Sequence, residues 1–230
     1  MAETALIVGT GAGLSASLAR LFHKEGMRVA LASRRTDKLA ALCAETAARA
    51  YACDAAKRED VEKLFAAVAT DIGVPDLVVY NPSARARGPI AELDPDQVLN
   101  ALLVSCYGGF LVGQQATRAM LKAGHGSILF TGASASVKGY ARSAPFAMGK
   151  FGLRGLAQSM ARELGPQNIH VAHFVIDGGI RQPGDTRGQD RGPDGLLEPD
   201  AIAANYLHVH RQHRSAWTAE VELRPWVENF

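Results

Sequence analysis

Residues 8–22 read VGTGAGLSASLARLF. The apolar run 5–8 feeds into this stretch as a buried strand. Residues 14–24 leave it as a helix with Leu14, Leu18, Leu21 and Phe22 on one face. Gly9, Gly11 and Gly13 stand between the two. Glycines let a backbone turn sharply and come close to a diphosphate, while the helix start at Leu14 supplies free N–H groups and the positive end of a dipole. Placed strand–turn–helix at the head of a βαβ unit, the three glycines predict a dinucleotide-binding turn.

The rest of the chain continues that alternation. Strands are expected at 28–32, 50–53, 77–80, 127–131, 170–176 and 221–223. Helices are expected at 37–49, 59–70, 95–122 (broken in character at Gly108–Gly109) and 145–164. Strand–helix repetition predicts an α/β fold, a doubly wound parallel sheet of Rossmann type in three layers, α/β/α. At 230 residues and 47% apolar composition, residues 1–230 suit one nucleotide-binding domain. Residues 181–199 break the pattern. Rich in Gly, Pro, Asp and Arg, they read as a mobile loop at the edge of the sheet where ligands bind.

Composition narrows the function classes. A formal net charge of +2 leaves no footprint for nucleic acid, and no run is long enough to span a membrane. The three cysteines, Cys43, Cys53 and Cys106, fit no zinc spacing and no disulfide framework, so no metal site and a cytoplasmic location are expected. A small-molecule substrate is the expected partner.

The second strand runs into VALASRRTDKL, residues 29–39. A site for NAD(H) usually places an acid there for the ribose 2′-OH. This chain has Ser33, Arg34 and Arg35, and guanidinium groups pair with a 2′-phosphate, so NADP(H) is predicted over NAD(H). Asp54, after the third strand, suits an adenine amino group, and Asn81, after the fourth, lies beside the cofactor path. Each equally suits a loop cap.

Together these segments resemble the short-chain dehydrogenase/reductase family, from the glycine turn to TAEVELRP at 218–225. The resemblance implies a Rossmann fold, a nicotinamide cofactor held in part by Ile180, and a homodimer or homotetramer built on the long helices. The family's signatures are TGxxxGxG, an NNAG-like segment, a catalytic Asn, Ser and YxxxK, and a PG turn. Here the glycine turn is one residue shorter, with Ser15 at its last glycine, and YNPS (80–83) stands for NNAG. In FAMGKFGLRGLAQSMARELG, residues 146–165, Lys150 keeps the lysine position and Phe146 takes the tyrosine position. The serine position falls on Ala133, the asparagine position on Ser105, and Asp177 replaces the proline of the PG turn.

The resemblance therefore implies a non-standard active site. Losing a positioned acid forfeits ~10²–10⁴ in rate, and losing the serine removes a polarising hydrogen bond. Lys150 keeps a role on the nicotinamide ribose. Ser134 and Asp177 rank first as replacement groups, Asp177 on condition that apolar surroundings raise its pKa. Ser134 and Ser136 suit loop hydroxyls bonded to backbone better than chemistry, and Asp177 equally suits a turn-forming acid before two glycines. Three functions stay open: an NADP(H)-dependent oxidoreductase of unusual mechanism, an inactive NADP(H)-binding sensor or scaffold, or a dead subunit of a hetero-oligomer. The substrate pocket is expected from 82–88, 134–144 and the loop after Ile180, with no decisive chemical bias. His170 and His173 fall on opposite faces of their strand and suit packing or capping. Trp217 and Trp226 are expected in a core or a subunit interface.

Overall fold

A computed structural model describes residues 2–187 and 189–228. Its centre is a seven-stranded sheet with every neighbouring pair parallel, in the order β3-β2-β1-β4-β5-β6-β7. The strands are β1 (Thr4–Val8), β2 (Arg28–Ser33), β3 (Arg49–Ala52), β4 (Leu77–Tyr80), β5 (Gly126–Thr131), β6 (Ile169–Ile176) and β7 (Glu220–Leu223). The order reverses between β1 and β4, and ligands bind at such switch points, beyond the C-terminal ends of the strands.

Two separate cores cover the sheet, so the inner strands are apolar on both sides. Ala5 and Ile7 of β1 face one core, with α1 (Leu14–Lys24), α2 (Ala40–Thr46) and α7 (Pro199–His210). Leu6 and Val8 face the other, with α3 (Arg58–Asp71), α5 (Gly108–Ala123) and α6 (Ala144–Leu164). The three-layer doubly wound arrangement expected from the sequence is the one observed.

Three departures matter. Helix α7 was not anticipated; it packs beside α1 and is anchored by Tyr206, whose ring stacks on Phe174 and whose hydroxyl lies 2.9 Å from Thr131 Oγ1. The expected helix over 37–49 is a short 3₁₀ turn, Asp37–Leu39, followed by α2, and Arg49 already belongs to β3. The long helix at 95–122 is α4 (Pro95–Leu102) and α5, separated by a π turn at Leu103–Tyr107. The interruption thus lies just before the glycines. Gly108 itself answers to close packing, because a Cβ there would sit 2.7 Å from the Ala55 carbonyl. Tyr80 at the end of β4 donates its hydroxyl to the Val104 carbonyl inside the π turn. Such single π turns recur at functional sites, and this one carries Ser105.

Trp217 is half-buried and stacks on His170, 4.7 Å between ring centroids. Trp226 is 81% exposed, which removes it from any core of this chain. Its indole N–H donates to Asp194 at 3.1 Å. Within the stretch read as a loop, Leu196 is buried and Leu197 bridges to Ile180, just before it.

Candidate active site

The glycine turn forms one end of the site. The Gly9 and Thr10 amides both donate to the Ala32 carbonyl, fixing the turn against β2. Gly9 has φ +85°, and a Cβ there would lie 2.6 Å from the Pro82 nitrogen, so only glycine fits. A second tie runs from Asn81 Nδ2 to Ser15 Oγ (2.7 Å) and from Ser15 Oγ to the Gly9 carbonyl (3.1 Å). Asn81 therefore clamps the end of β4 to the turn. Helix α1 starts after Gly13 with no side-chain cap and no acid in its first turn, which leaves its orphan amides for an anion.

Beside the turn is a cavity of about 340 Å³ lined in part by Gly9, Ser33, Arg34, Asp54 and Asn81. Arg34 makes no hydrogen bond or ion pair with any described residue. Asp54 caps its own loop, with Oδ1 accepting from the Ala56 amide at 3.1 Å, while still bordering the cavity. Gly11, Gly13, Leu14 and Arg35 border neither this cavity nor its neighbour. Gly11 faces open space, and the Gln182 side chain rests where a Cβ on Gly13 would be.

A larger cavity of about 940 Å³ shares Asn81 and Ser83 with the first, so the two form one trough. It is lined by Lys150, Phe146, Ala133, Ser134, Asp177 and Ile180, among others. Lys150 is 2% exposed, donates to the Thr131 carbonyl at 2.7 Å and forms no ion pair with a described carboxylate. Burial, and secondarily the charge of Arg85, lower its pKa to about 7. Phe146 lies below it, with the ammonium 6.0 Å from the ring centroid. The Ser134 hydroxyl borders the cavity and makes no bond to any described residue. Ser136 is the hydroxyl turned inward: it accepts from the Ala133 amide at 3.1 Å and lies 3.3 Å from His173 Nε2. His173 Nδ1 lies 3.6 Å from Glu220. This Ser–His–Glu series has the order of a nucleophilic triad. Ser136 and His173 are both buried, so it braces the 133–137 turn instead of meeting substrate.

Two expectations need correcting. Ser105 is fully buried, and its hydroxyl lies 3.2 Å from the amide and 3.3 Å from the carbonyl of Ala84. It positions the segment after β4 and does not line the cavity. Asp177 is buried at the cavity wall, but its surroundings are not apolar: Lys138 Nζ reaches it at 3.4 Å and Arg224 at 3.5 Å. The arginines Arg85, Arg87 and Arg142 around the cavity mouth were missed as a group.

A glycine turn at the sheet's switch point, an uncapped helix start and a contiguous trough ending on a buried lysine define a dinucleotide-binding α/β protein with a substrate cavity. The family profile described as short chain dehydrogenase matches residues 3–183, and the chain belongs to the short-chain dehydrogenase/reductase family of oxidoreductases, which binds NAD(P)(H). It is similar to a short-chain dehydrogenase from Rhodopseudomonas palustris, 35% identical, with a TM-score of 0.84 over 97% of this chain and 99% of that one. A variant of actinorhodin polyketide ketoreductase solved with NADPH is 25% identical, with a TM-score of 0.91 over 100% and 98% of the two chains. D-threitol dehydrogenase of Mycolicibacterium smegmatis is 28% identical over 74% of this chain and 67% of its own.

Proposed function

We propose that residues 1–230 act as one NADP(H)-dependent oxidoreductase domain whose active site works without a tyrosine acid or a partner serine. The observation that carries this reading is Lys150. An ammonium buried without a carboxylate is unfavourable by several kcal/mol, and strongly perturbed groups lining clefts mark functional sites.

The residues present fit the cofactor. The Gly9–Gly13 turn and the start of α1 would hold the diphosphate, Arg34 with Ser33 the 2′-phosphate, Asp54 the adenine side, and Asn81, Lys150 and Ile180 the nicotinamide half. When bound, the nicotinamide supplies or accepts a hydride. Phe146 offers no proton, and its ring carries the Arg85 guanidinium 4.1 Å from its centroid. Lys150 Nζ, with a pKa of about 7, can hold or release a proton at neutral pH. The free Ser134 hydroxyl can donate a hydrogen bond into the cavity. This set suits substrates that need no strong acid as they are reduced: iminium ions, already charged, and activated C=C bonds, which take their proton later from water. NADPH oxidation measured with iminium salts, enones and ketones tests the reading, and a clear preference for ketones contradicts it.

Preference for NADP(H) rests on Arg34, which makes no hydrogen bond or ion pair with a described residue and borders the smaller cavity. A charge-assisted bond to phosphate predicts that Arg34→Ala weakens NADPH about tenfold and leaves NADH unchanged. Calorimetry with both nucleotides checks this, and equal losses for the two refute it.

A homo-oligomer fits the outer faces of the π turn, α5 and α6, where Tyr107, Phe110, Met148 and Phe151 are each exposed by more than 40% and the first two stack on each other. Apolar area of this kind is usual at interfaces. Sedimentation should show a dimer or tetramer that Phe110→Asp with Phe151→Asp dissociates; a wild-type monomer at micromolar concentration rejects it.

A further inference from the structure

The mouth of the larger cavity has a charge bias that neither the motif pattern nor the overall net charge reveals. Arg85 and Arg87 come from the segment after β4, and Arg142 from the segment before α6; all three line the cavity. None of the three side chains makes a hydrogen bond or ion pair with a described residue. The cavity's two carboxylates are already engaged, Asp177 by Lys138 and Arg224, and Glu228 by Arg191 at 3.0 Å. A fourth lining arginine, Arg187, is held by Asp185, 2.8 Å from its Nε. Among the described residues, three guanidinium groups therefore face one opening with no counter-charge.

Their placement is built. The Ala84 backbone is pinned on both its polar atoms by the buried Ser105 hydroxyl, which fixes the chain next to Arg85. The Arg85 guanidinium lies over the Phe146 ring, 4.1 Å from its centroid. This cation–π contact aims it at the floor where Lys150 lies. The Gly88 amide donates to the Arg142 carbonyl at 3.1 Å, joining the two segments. Arg142 itself adopts φ +60°, a left-handed conformation unusual for a side chain of this size, and such local strain concentrates at ligand-contacting positions. Partial burial, then repulsion from Arg87 and Arg187, lowers the Arg85 pKa, so the like charges are felt within the group and an anion would relieve them.

We propose that the substrate of the oxidoreductase site carries an oxyanion, a carboxylate or a phosphate, that docks on Arg85, Arg87 and Arg142 while its reducible carbon reaches the Phe146–Lys150 floor. The assignment deepens the function proposed above and rests on it for the identity of the reacting end. Guanidinium groups match both oxyanions through paired N–H bonds; an uncharged substrate would leave three positive charges crowded at the mouth.

The test uses benzoate, phenyl phosphate and benzamide, titrated calorimetrically into the full-length protein with and without saturating NADP⁺. At least one anion should bind about tenfold or more tightly than the neutral amide, the order expected for bonds to a charged group. The tighter of the two anions identifies the source as carboxylate or phosphate. Arg85→Gln with Arg142→Gln should reduce anion affinity about tenfold or more, to the level of benzamide, while NADP⁺ affinity holds. The proposal is overturned if benzamide binds as well as both anions. It also falls if the double variant, confirmed as folded by its melting curve, keeps its anion affinity. A tenfold loss of NADP⁺ affinity in that variant assigns the arginines to the dinucleotide and equally overturns it. Failure of NADP⁺ to bind the wild type would refute the cofactor reading instead, and the titrations without nucleotide would still decide the anion site.

Discussion

Lys150→Met is expected to make the protein more stable and to lower its turnover by ~10²–10⁴. Lys150 is 2% exposed, and its main partner is the Thr131 carbonyl. Its pKa falls from 10.5 to about 7, chiefly through burial and then through Arg85. The direction of linkage follows from that. Between pH 7 and 10.5 the unfolded chain binds more protons at this position than the folded one, so stability falls as pH drops through this window. A shift of that size corresponds to roughly 4 kcal/mol near neutrality. Methionine keeps the length and removes the charge, but leaves the Thr131 carbonyl without its donor, at a cost of about 1–3 kcal/mol. The net gain is roughly 2 kcal/mol, or about 4–8 °C in Tm for a chain of this size. Melting curves at pH 7 and 9.5 decide the matter: the wild type should gain stability at the higher pH and the variant should not. A variant that melts lower at pH 7, or keeps the wild-type pH slope, removes the basis for treating Lys150 as a strained functional group. Loss of turnover by ~10²–10⁴ is expected alongside, the usual worth of a positioned proton donor.

Phe146→Tyr combined with Ala133→Ser is expected to raise the protein's reduction of ketones. Both residues line the larger cavity, so the added hydroxyls enter space already open to substrate. The new phenol would lie near Lys150 and Arg85, whose charges favour phenolate and so lower its pKa. A general acid supplied in this way is worth about 10²–10⁴ in kcat/KM. Steady-state NADPH oxidation with simple ketones measures the gain. If the double variant reduces ketones and the wild type is inert toward iminium ions, enones and ketones alike, the wild-type chain is a nucleotide-binding sensor or scaffold. If neither protein reduces ketones, Phe146 does not occupy the position of the acid.

The fold was legible because its determinants are local. The glycines of the first turn, the apolar run at Leu77–Tyr80 and the period of Leu14–Lys24 each specify an element from a few adjacent residues. Helix α7 escaped because its sequence, PDAIAANYLHVH, separates polar from apolar poorly; Ile202, Tyr206 and Val209 become a buried face only against α1 and β6. The expected cofactor end is read from the same glycines, of which Gly9 borders the smaller cavity and Gly11 and Gly13 do not. The substrate end is not legible in this way, for a topological reason. Arg85 and Arg142 lie far apart in the chain and meet only when β4 and α6 are brought to one side of the sheet. Ser105 and Ser134 show the same limit. Their orientation depends on the π turn and the short turn after β5, and sequence alone assigned Ser105 to chemistry when it is a brace.

The sheet's outer strands bear on how the molecule behaves at high concentration. β3 presents Arg49, which pairs with Asp71 at 3.4 Å, and β7 presents Glu220, gripped by Arg154 through two bonds of 2.6 and 2.7 Å, with Glu222 exposed beyond it. Backbone edges are templates for pairing between molecules, and short strands bearing charge are the usual protection against it. Fibrillar growth by strand addition is thus disfavoured at both margins.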